Sequence, residues 1–136
     1  MQNELDVYID GASKGNPGPS GIGVILCKQG KPVETISRYI GLATNNVAEY
    51  NAYICGLQAG LVLKADCLNV FTDSELLARQ INREYKVKNE QIRVLFDQAC
   101  ALMAGYRKVT VKHIPREQNS SADKLATLAV ENSRAR

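Results

Sequence analysis

The most constraining feature of the sequence is an apolar segment that meets a carboxylate and then a glycine-rich loop. Val7 and Ile9 alternate with more polar positions, which is the pattern of a β-strand, and Asp10 follows directly. Gly11 is predicted to let the backbone turn at once. Gly15, Pro17 and Gly18 then favour a loop over a helix in the next segment. A carboxylate in that position can bind a metal ion or flank a phosphate site, but alone it is more typical of a turn.

Composition places the chain among ordinary globular proteins. Its 136 residues are 45% hydrophobic and 23% charged, which predicts one domain, residues 1–136, with a sizeable core. No apolar run could span a membrane and no secretory signal opens the chain, so we expect a cytoplasmic monomer without a membrane partner. The net charge of +3 is compatible with nucleic-acid binding but does not indicate it.

The cysteines are scattered and form no C-x-x-C pair, which argues against a zinc cluster. In the cytosol they are expected as small core residues or free thiols, and the sequence leaves a disulfide open. The positions concerned are Cys27, Cys55, Cys67 and Cys100.

The rest of the chain predicts four further strands and four helices. Three strands joined by short connections come first, which favours an antiparallel meander, and the later strands alternate with helices. This order predicts an α/β fold, a mixed sheet with helices on its faces. The further strands are expected at 21–27, 33–40, 67–72 and 108–114, the helices at 45–63, 74–81, 90–104 and 121–131, with frayed residues 132–136.

Three more acidic residues stand where predicted helices begin, and each has a local explanation. Glu49 fits a capping box with Asn46 as the N-cap, and Asp73 would favour the N-terminus of the next helix. Ser120 and Asp123 fit a third box before the last helix.

Taken together, the acids favour a different explanation. Ligands of open α/β sheets collect beyond the carboxyl ends of the strands, where Asp10 and Asp73 would end parallel neighbours. Glu49 and Asp123, in first helical turns, could face the same edge. Four clustered carboxylates repel one another unless cations compensate them, and Mg²⁺ or Mn²⁺ fits such oxygen ligands. Two such ions, a few Å apart, suit in-line cleavage of a phosphodiester.

Four motifs in order carry a family resemblance that covers nearly the whole chain. The sequence resembles type 1 ribonuclease H (ribonuclease HI), in the variant that lacks the basic protrusion. The motifs are Tyr8-Ile9-Asp10-Gly11-Ala12-Ser13 with Asn16-Pro17-Gly18, then Thr44-Asn45-Asn46-Val47-Ala48-Glu49, then Thr72-Asp73-Ser74, and finally Asn119-Ser120-Ser121-Ala122-Asp123-Lys124-Leu125-Ala126.

The resemblance implies a ribonuclease H-like fold, a five-stranded mixed sheet of order 3-2-1-4-5 whose first three strands are antiparallel. It implies that Asp10, Glu49, Asp73 and Asp123 are the catalytic, metal-binding residues. Asp10 would bridge two ions, Glu49 and Asp73 would serve mainly one, and Asp123 the other. The implied reaction is endonucleolytic hydrolysis of the RNA strand of RNA–DNA hybrids, leaving 3′-hydroxyl and 5′-phosphate ends.

The resemblance also implies the substrate-binding residues. Thr44 would bind a phosphate of the DNA strand without reading its sequence. Contacts with 2′-hydroxyl groups in the minor groove would distinguish RNA from DNA, and asparagine side chains suit them because they both donate and accept. The minor-groove set is Gly11, Ala12, Ser13, Asn16, Asn45 and Asn46.

Several positions depart from the bacterial pattern. Glu75 stands where many members have glutamine, and Leu42 stands where the phosphate pocket has arginine. The connection from Arg83 to Asn89 is too short for a lysine-rich helix. Fewer cations near the phosphates predict modest hybrid affinity and a shallow dependence on salt concentration.

His113, the single histidine, leaves its role open. Many bacterial members have a histidine in a flexible loop that assists proton transfer or product release, but His113 ends a predicted strand. Arg116 and Glu117, in the loop itself, are alternatives for that role. Two other functions are open: a module that binds hybrids or RNA without enzymatic activity, and a phosphorelay receiver, whose fold starts instead with alternating strands and helices.

Overall fold

The first forty positions form an antiparallel meander, as their alternation predicts. The computed structural model describes residues 3–134, with β1 at Glu4–Ser13, β2 at Gly18–Lys28 and β3 at Lys31–Ala43. β4 (Cys67–Thr72) pairs with β1 in parallel, and β5 (Lys108–His113) pairs with β4 in parallel. The sheet order β3-β2-β1-β4-β5 confirms the predicted topology and excludes the receiver fold.

Four helices and one short 3-10 turn connect and cover the strands. They are α1 (Asn45–Val62), α2 (Glu75–Ile81), α3 (Glu90–Met103), the 3-10 turn Arg116–Gln118, and α4 (Ser120–Arg134). Residues 132–134 continue α4, so fraying there was a wrong prediction, while 135 and 136 lie outside the described residues. No helix of the described range is long and apolar enough to cross a membrane.

The end of the first strand was also predicted wrongly. β1 does not stop at Asp10, because Asp10 pairs with Gly23 and the ladder with β2 continues as far as Ser13. Gly11 makes no turn; a Cβ atom there would overlap the backbone of Ala48 in α1. The glycine is therefore required by the close approach of a helix, a tertiary constraint that the local pattern does not reveal.

Successive residues of β2 face opposite layers of the molecule. Val24 faces α1 at Gly56, and Gly23 faces α4 at Ala122, so helices cover both faces as predicted. α3 packs on α1 and extends that layer. In α4 the buried residues are mostly alanines, and Leu128 is 44% exposed.

The core lies mainly between the sheet and α1. Its largest fully buried side chains include Tyr50, Tyr53, Ile9, Ile22 and Leu57. All four cysteines are free thiols, with Cys55 and Cys67 buried, which resolves the disulfide that the sequence left open.

The Gly23→Ala substitution should destabilise the protein, because the new Cβ would overlap the carbonyl oxygen of Ala122. Overpacking of this kind predicts a loss of about 3 kcal/mol in the free energy of unfolding, measured by urea denaturation. Gly30→Asn is the control, since Gly30 has a positive φ that asparagine tolerates and nothing within 4 Å. Equal losses of unfolding free energy in the two variants would contradict the close approach of α4 to Gly23.

Candidate active site

The parallel pairing of β1 with β4 brings two acids side by side. The last pair in this ladder is Ile9 with Thr72, so Asp10 and Asp73 are the next residues of adjacent strands. Thr72 is fully buried, and its hydroxyl accepts the N–H of Ser74 at 3.1 Å. Ser74 then caps α2 by accepting the N–H of Leu77 at 3.2 Å. Asp73 is thus held in a defined turn without serving as the cap itself.

Glu49 reaches the same place from α1. The helix begins with Thr44 as its N-cap, whose hydroxyl accepts the N–H of Val47 at 3.2 Å, so the predicted Asn46 cap was wrong. Glu49 is consequently the fifth helical residue, too far along for a capping box. Its carboxylate instead accepts the N–H of Gly11 at 2.5 Å, which fixes it beside Asp10.

These three carboxylates form a compact oxygen cluster. Asp10, Glu49 and Asp73 each offer one oxygen, and the three oxygens lie within 4.8 Å of one another. Asp10 is only 5% exposed. A small set of hard anionic oxygens, partly shielded from water, fits a divalent cation such as Mg²⁺ or Mn²⁺.

Asp123 borders the cluster rather than completing it. It lies in the first turn of α4, outside the group of three, but it lines the same pocket of about 480 Å³ and is close enough to raise the pKa of Asp10. The Arg116 guanidinium is 4.0 Å from its carboxylate. Among the described residues, none of the four acids accepts a hydrogen bond from a backbone N–H of its own helix or strand.

The electrostatics of the pocket favour protonation when no cation is bound. Burial raises the pKa of Asp10 to about 10, and Glu49, Asp73 and Asp123 add repulsion. Burial also raises the pKa of Glu49 to about 8, although the Gly11 N–H and the Arg116 charge oppose the shift. At neutral pH this pair therefore retains protons that a bound cation would have to displace.

The residues predicted to bind substrate divide into two groups. Gly11, Ala12, Ser13 and Asn45 line the acidic pocket. The remaining three lie outside its lining. Asn16 accepts the N–H of Asn45 at 3.1 Å, while Thr44 caps α1 and Asn46 is exposed beside it.

The three loop candidates also separate. His113 is the last residue of β5 and is exposed, which agrees with a strand-end role. Arg116 lines the pocket, but Glu117 and His113 do not. Sequence reasoning gave no separate role to Asn119, which is 1% exposed and bonds to the backbone of β1 at Ile9.

Comparisons with known proteins agree with this arrangement. A family model described as reverse transcriptase-like matches residues 8–129. The bifunctional protein Rv2228c of Mycobacterium tuberculosis is 38% identical over 127 residues, which are 92% of this chain and 35% of that protein. The chain thus spans about a third of the length of its mycobacterial relatives.

Two solved structures resemble the whole described fold. RNase H1 of the halophilic archaeon Halobacterium salinarum has a TM-score of 0.93 and 34% identity, covering 96% of this chain and 99% of that one. LC11-RNase H1, isolated from compost and solved in complex with an RNA/DNA hybrid, has a TM-score of 0.90 and 37% identity, covering 95% and 98%. With the sheet order, the acidic pocket and these likenesses in agreement, the chain belongs to the ribonuclease H family.

Proposed function

We propose that this protein is an endonuclease that hydrolyses the RNA strand of RNA–DNA hybrids, leaving 3′-hydroxyl and 5′-phosphate ends. The observation that carries the proposal is the cluster of three carboxylate oxygens within 4.8 Å, in an open pocket at the edge of the sheet. The LC11 relative, solved with an RNA/DNA hybrid, supports this class of substrate.

Two divalent ions, Mg²⁺ or Mn²⁺, are the proposed cofactors. Asp10 would bind both, Glu49 and Asp73 mainly one, and Asp123 the other; this agrees with Asp123 bordering the group of three. When bound, the ions would activate the attacking water and stabilise the leaving oxygen. The chain itself holds the acids in place, through the Gly11 N–H on Glu49 and the capped turn around Asp73.

Substrate recognition would fall to the rim of the pocket. The backbone of Gly11 to Ser13 and the side chain of Asn45 lie beside the acids, where 2′-hydroxyl groups of the RNA strand would be read. Asn16 and Asn46 flank Asn45 and would extend the contact. Because the Thr44 oxygen accepts the Val47 N–H, its own O–H can donate to a DNA phosphate.

Three departures from the bacterial pattern support the expectation of modest affinity for the hybrid. Glu75 is paired with Arg79 at 3.2 Å, so part of the positive charge near this surface is already compensated. Leu42 is 78% exposed in place of an arginine, and residues 82–89 form no helix. A shallow salt dependence, a monomeric state and a cytoplasmic location stay predictions.

Asp10→Asn should abolish cleavage while preserving the fold, because the amide cannot replace a carboxylate shared by two cations. We expect the rate on end-labelled RNA–DNA hybrid to fall about a thousandfold or more with Mg²⁺ or Mn²⁺. Asp97→Asn, which removes an exposed acid paired with Arg93 on α3, is the matched control and should cut normally. Retained cleavage by Asp10→Asn would refute the assignment, and hybrid binding without any cleavage by the unaltered protein would favour a binding module.

The metal-free protein should lose stability as the pH rises. Asp10 and Glu49 have raised pKa values in the folded state, so this stability is complete below their unfolded pKa values, near pH 4, and is lost progressively up to about pH 8–10. The melting temperature of the metal-free protein should therefore fall between about pH 5 and pH 9. In that range Asp10→Asn should melt about 5 °C higher than the wild type, and Mn²⁺ should stabilise the wild type more as the pH increases. Identical pH profiles for the two proteins would contradict the proposed repulsion.

Arg116→Ala should slow cleavage and shift its pH profile. The Arg116 charge lowers the pKa of Glu49, so its loss should leave Glu49 protonated up to a higher pH, and Arg116 also lies 4.0 Å from the Asp123 carboxylate. We expect a drop of about tenfold in kcat at neutral pH, partly recovered at alkaline pH. His113→Ala, at the strand end outside the pocket, is the comparison variant. If kcat fell further in His113→Ala than in Arg116→Ala, the auxiliary role in catalysis would belong to His113 instead of Arg116.

A further inference from the structure

Asn119 joins the two elements that carry Asp10 and Asp123. It stands between the 3-10 turn and α4, where its N–H donates to the carbonyl of Arg116 at 2.9 Å. Its own carbonyl accepts the N–H of Asp123 at 3.1 Å, the first hydrogen bond of α4. The backbone of Asn119 therefore fixes the helical turn on which Asp123 is placed.

The side chain of Asn119 reaches in the opposite direction, to β1. Its Nδ2 donates to the carbonyl oxygen of Ile9 at 2.8 Å, and Ile9 immediately precedes Asp10. Asn119 thus connects Ile9, the residue before Asp10, to the backbone N–H of Asp123. The connection consists of two hydrogen bonds and one amide, which is shielded from water because Asn119 is only 1% exposed.

The chemistry of this amide argues against a purely structural role. An asparagine at the start of a helix ordinarily accepts an N–H of the first turn with its side-chain oxygen. Here Oδ1 is buried and accepts no hydrogen bond from any residue between 3 and 134. A half-satisfied buried amide costs stability, so an apolar side chain would serve better if only packing mattered.

The close contact between α4 and the sheet explains what the amide adds. α4 meets β2 at Gly21 and Gly23, which have no side chains to interlock with the helix, and Ser37 of β3 donates to the Leu125 carbonyl of α4 at 2.6 Å. A hydrogen bond from Asn119 to one particular carbonyl fixes the position of α4 along β1. One residue of slippage would move Asp123 by about 3.3 Å relative to Asp10, more than a metal–oxygen bond length.

We propose that Asn119 is a positioning residue that sets the separation of Asp10 and Asp123, and so the geometry of the cation site. The inference rests on the proposed function only in assuming that these acids bind a divalent cation. Asn119 does not line the acidic pocket itself. Its removal should therefore weaken metal binding and slow cleavage without changing the affinity for the hybrid.

The test compares Asn119→Ala and Asn119→Asp with the control Asn82→Ala. Asn82 makes a similar bond, from Nδ2 to the carbonyl of Val111 at 3.0 Å, but it joins the end of α2 to β5 away from the acids. Mn²⁺ affinity is measured by calorimetry on each full chain, with the melting temperature recorded alongside. We expect Kd for Mn²⁺ to weaken about tenfold in both Asn119 variants and by less than about twofold in Asn82→Ala.

The second readout is the kinetics on RNA–DNA hybrid, where kcat should fall about tenfold while KM for the hybrid stays unchanged. If Asn119→Ala does not fold, Asn119→Asp decides, because it keeps the side-chain volume and replaces the amide donor with a carboxyl oxygen that repels the Ile9 carbonyl. Wild-type Mn²⁺ affinity in an Asn119 variant that has lost as much stability as Asn82→Ala would overturn the proposal. A wild-type protein that binds Mn²⁺ but leaves the hybrid intact would refute the proposed function and leave the Mn²⁺ comparison to judge Asn119.

Discussion

The site depends on how closely two helices approach the central strands. A side chain at Gly11 would overlap the backbone of Ala48 in α1, and one at Gly23 would overlap Ala122 in α4. Both contacts are possible only because glycine has no Cβ atom. They bring Glu49 and Asp123, one residue beyond each contact, into the same pocket as Asp10. The acidic pocket is therefore a consequence of backbone packing, before any attraction to a cation is considered.

The same packing makes the site electrostatically unfavourable in the absence of a cation. Asp10 is 5% exposed and faces three other acids, and burial with repulsion raises its pKa. Among the described residues, the Gly11 N–H and the Arg116 guanidinium oppose this effect at Glu49, and Arg116 also lies 4.0 Å from Asp123. The clustered acids therefore lower the free energy of unfolding locally, and the hydrophobic core between α1 and the sheet offsets this loss.

Much of the fold could be predicted from the sequence because it is encoded locally. Alternation located the strands, and the four motifs implied the order β3-β2-β1-β4-β5 that the structure shows. The errors concern choices that only tertiary contacts decide. Gly11 has the local appearance of a turn, but it is required by α1; Thr44 and Asn46 are both good capping residues, and the observed start of α1 selects Thr44.

The identity of the helix caps bears directly on what the acids can do. Neutral hydroxyl groups cap the two helices that follow the sheet edge, Thr44 on α1 and Ser74 on α2. Because these hydroxyl oxygens satisfy the exposed N–H groups, Glu49 and Asp73 are not required as caps, and their carboxyl oxygens stay available to the pocket. A carboxyl oxygen that capped a helix could not also bind a cation in the pocket, so the two explanations of these acids exclude each other. In α1 and α2 the hydroxyl groups of Thr44 and Ser74 are the caps, which leaves the acids to the pocket. At α4 the Asn119 side chain does not cap the helix and instead donates to the Ile9 carbonyl of β1.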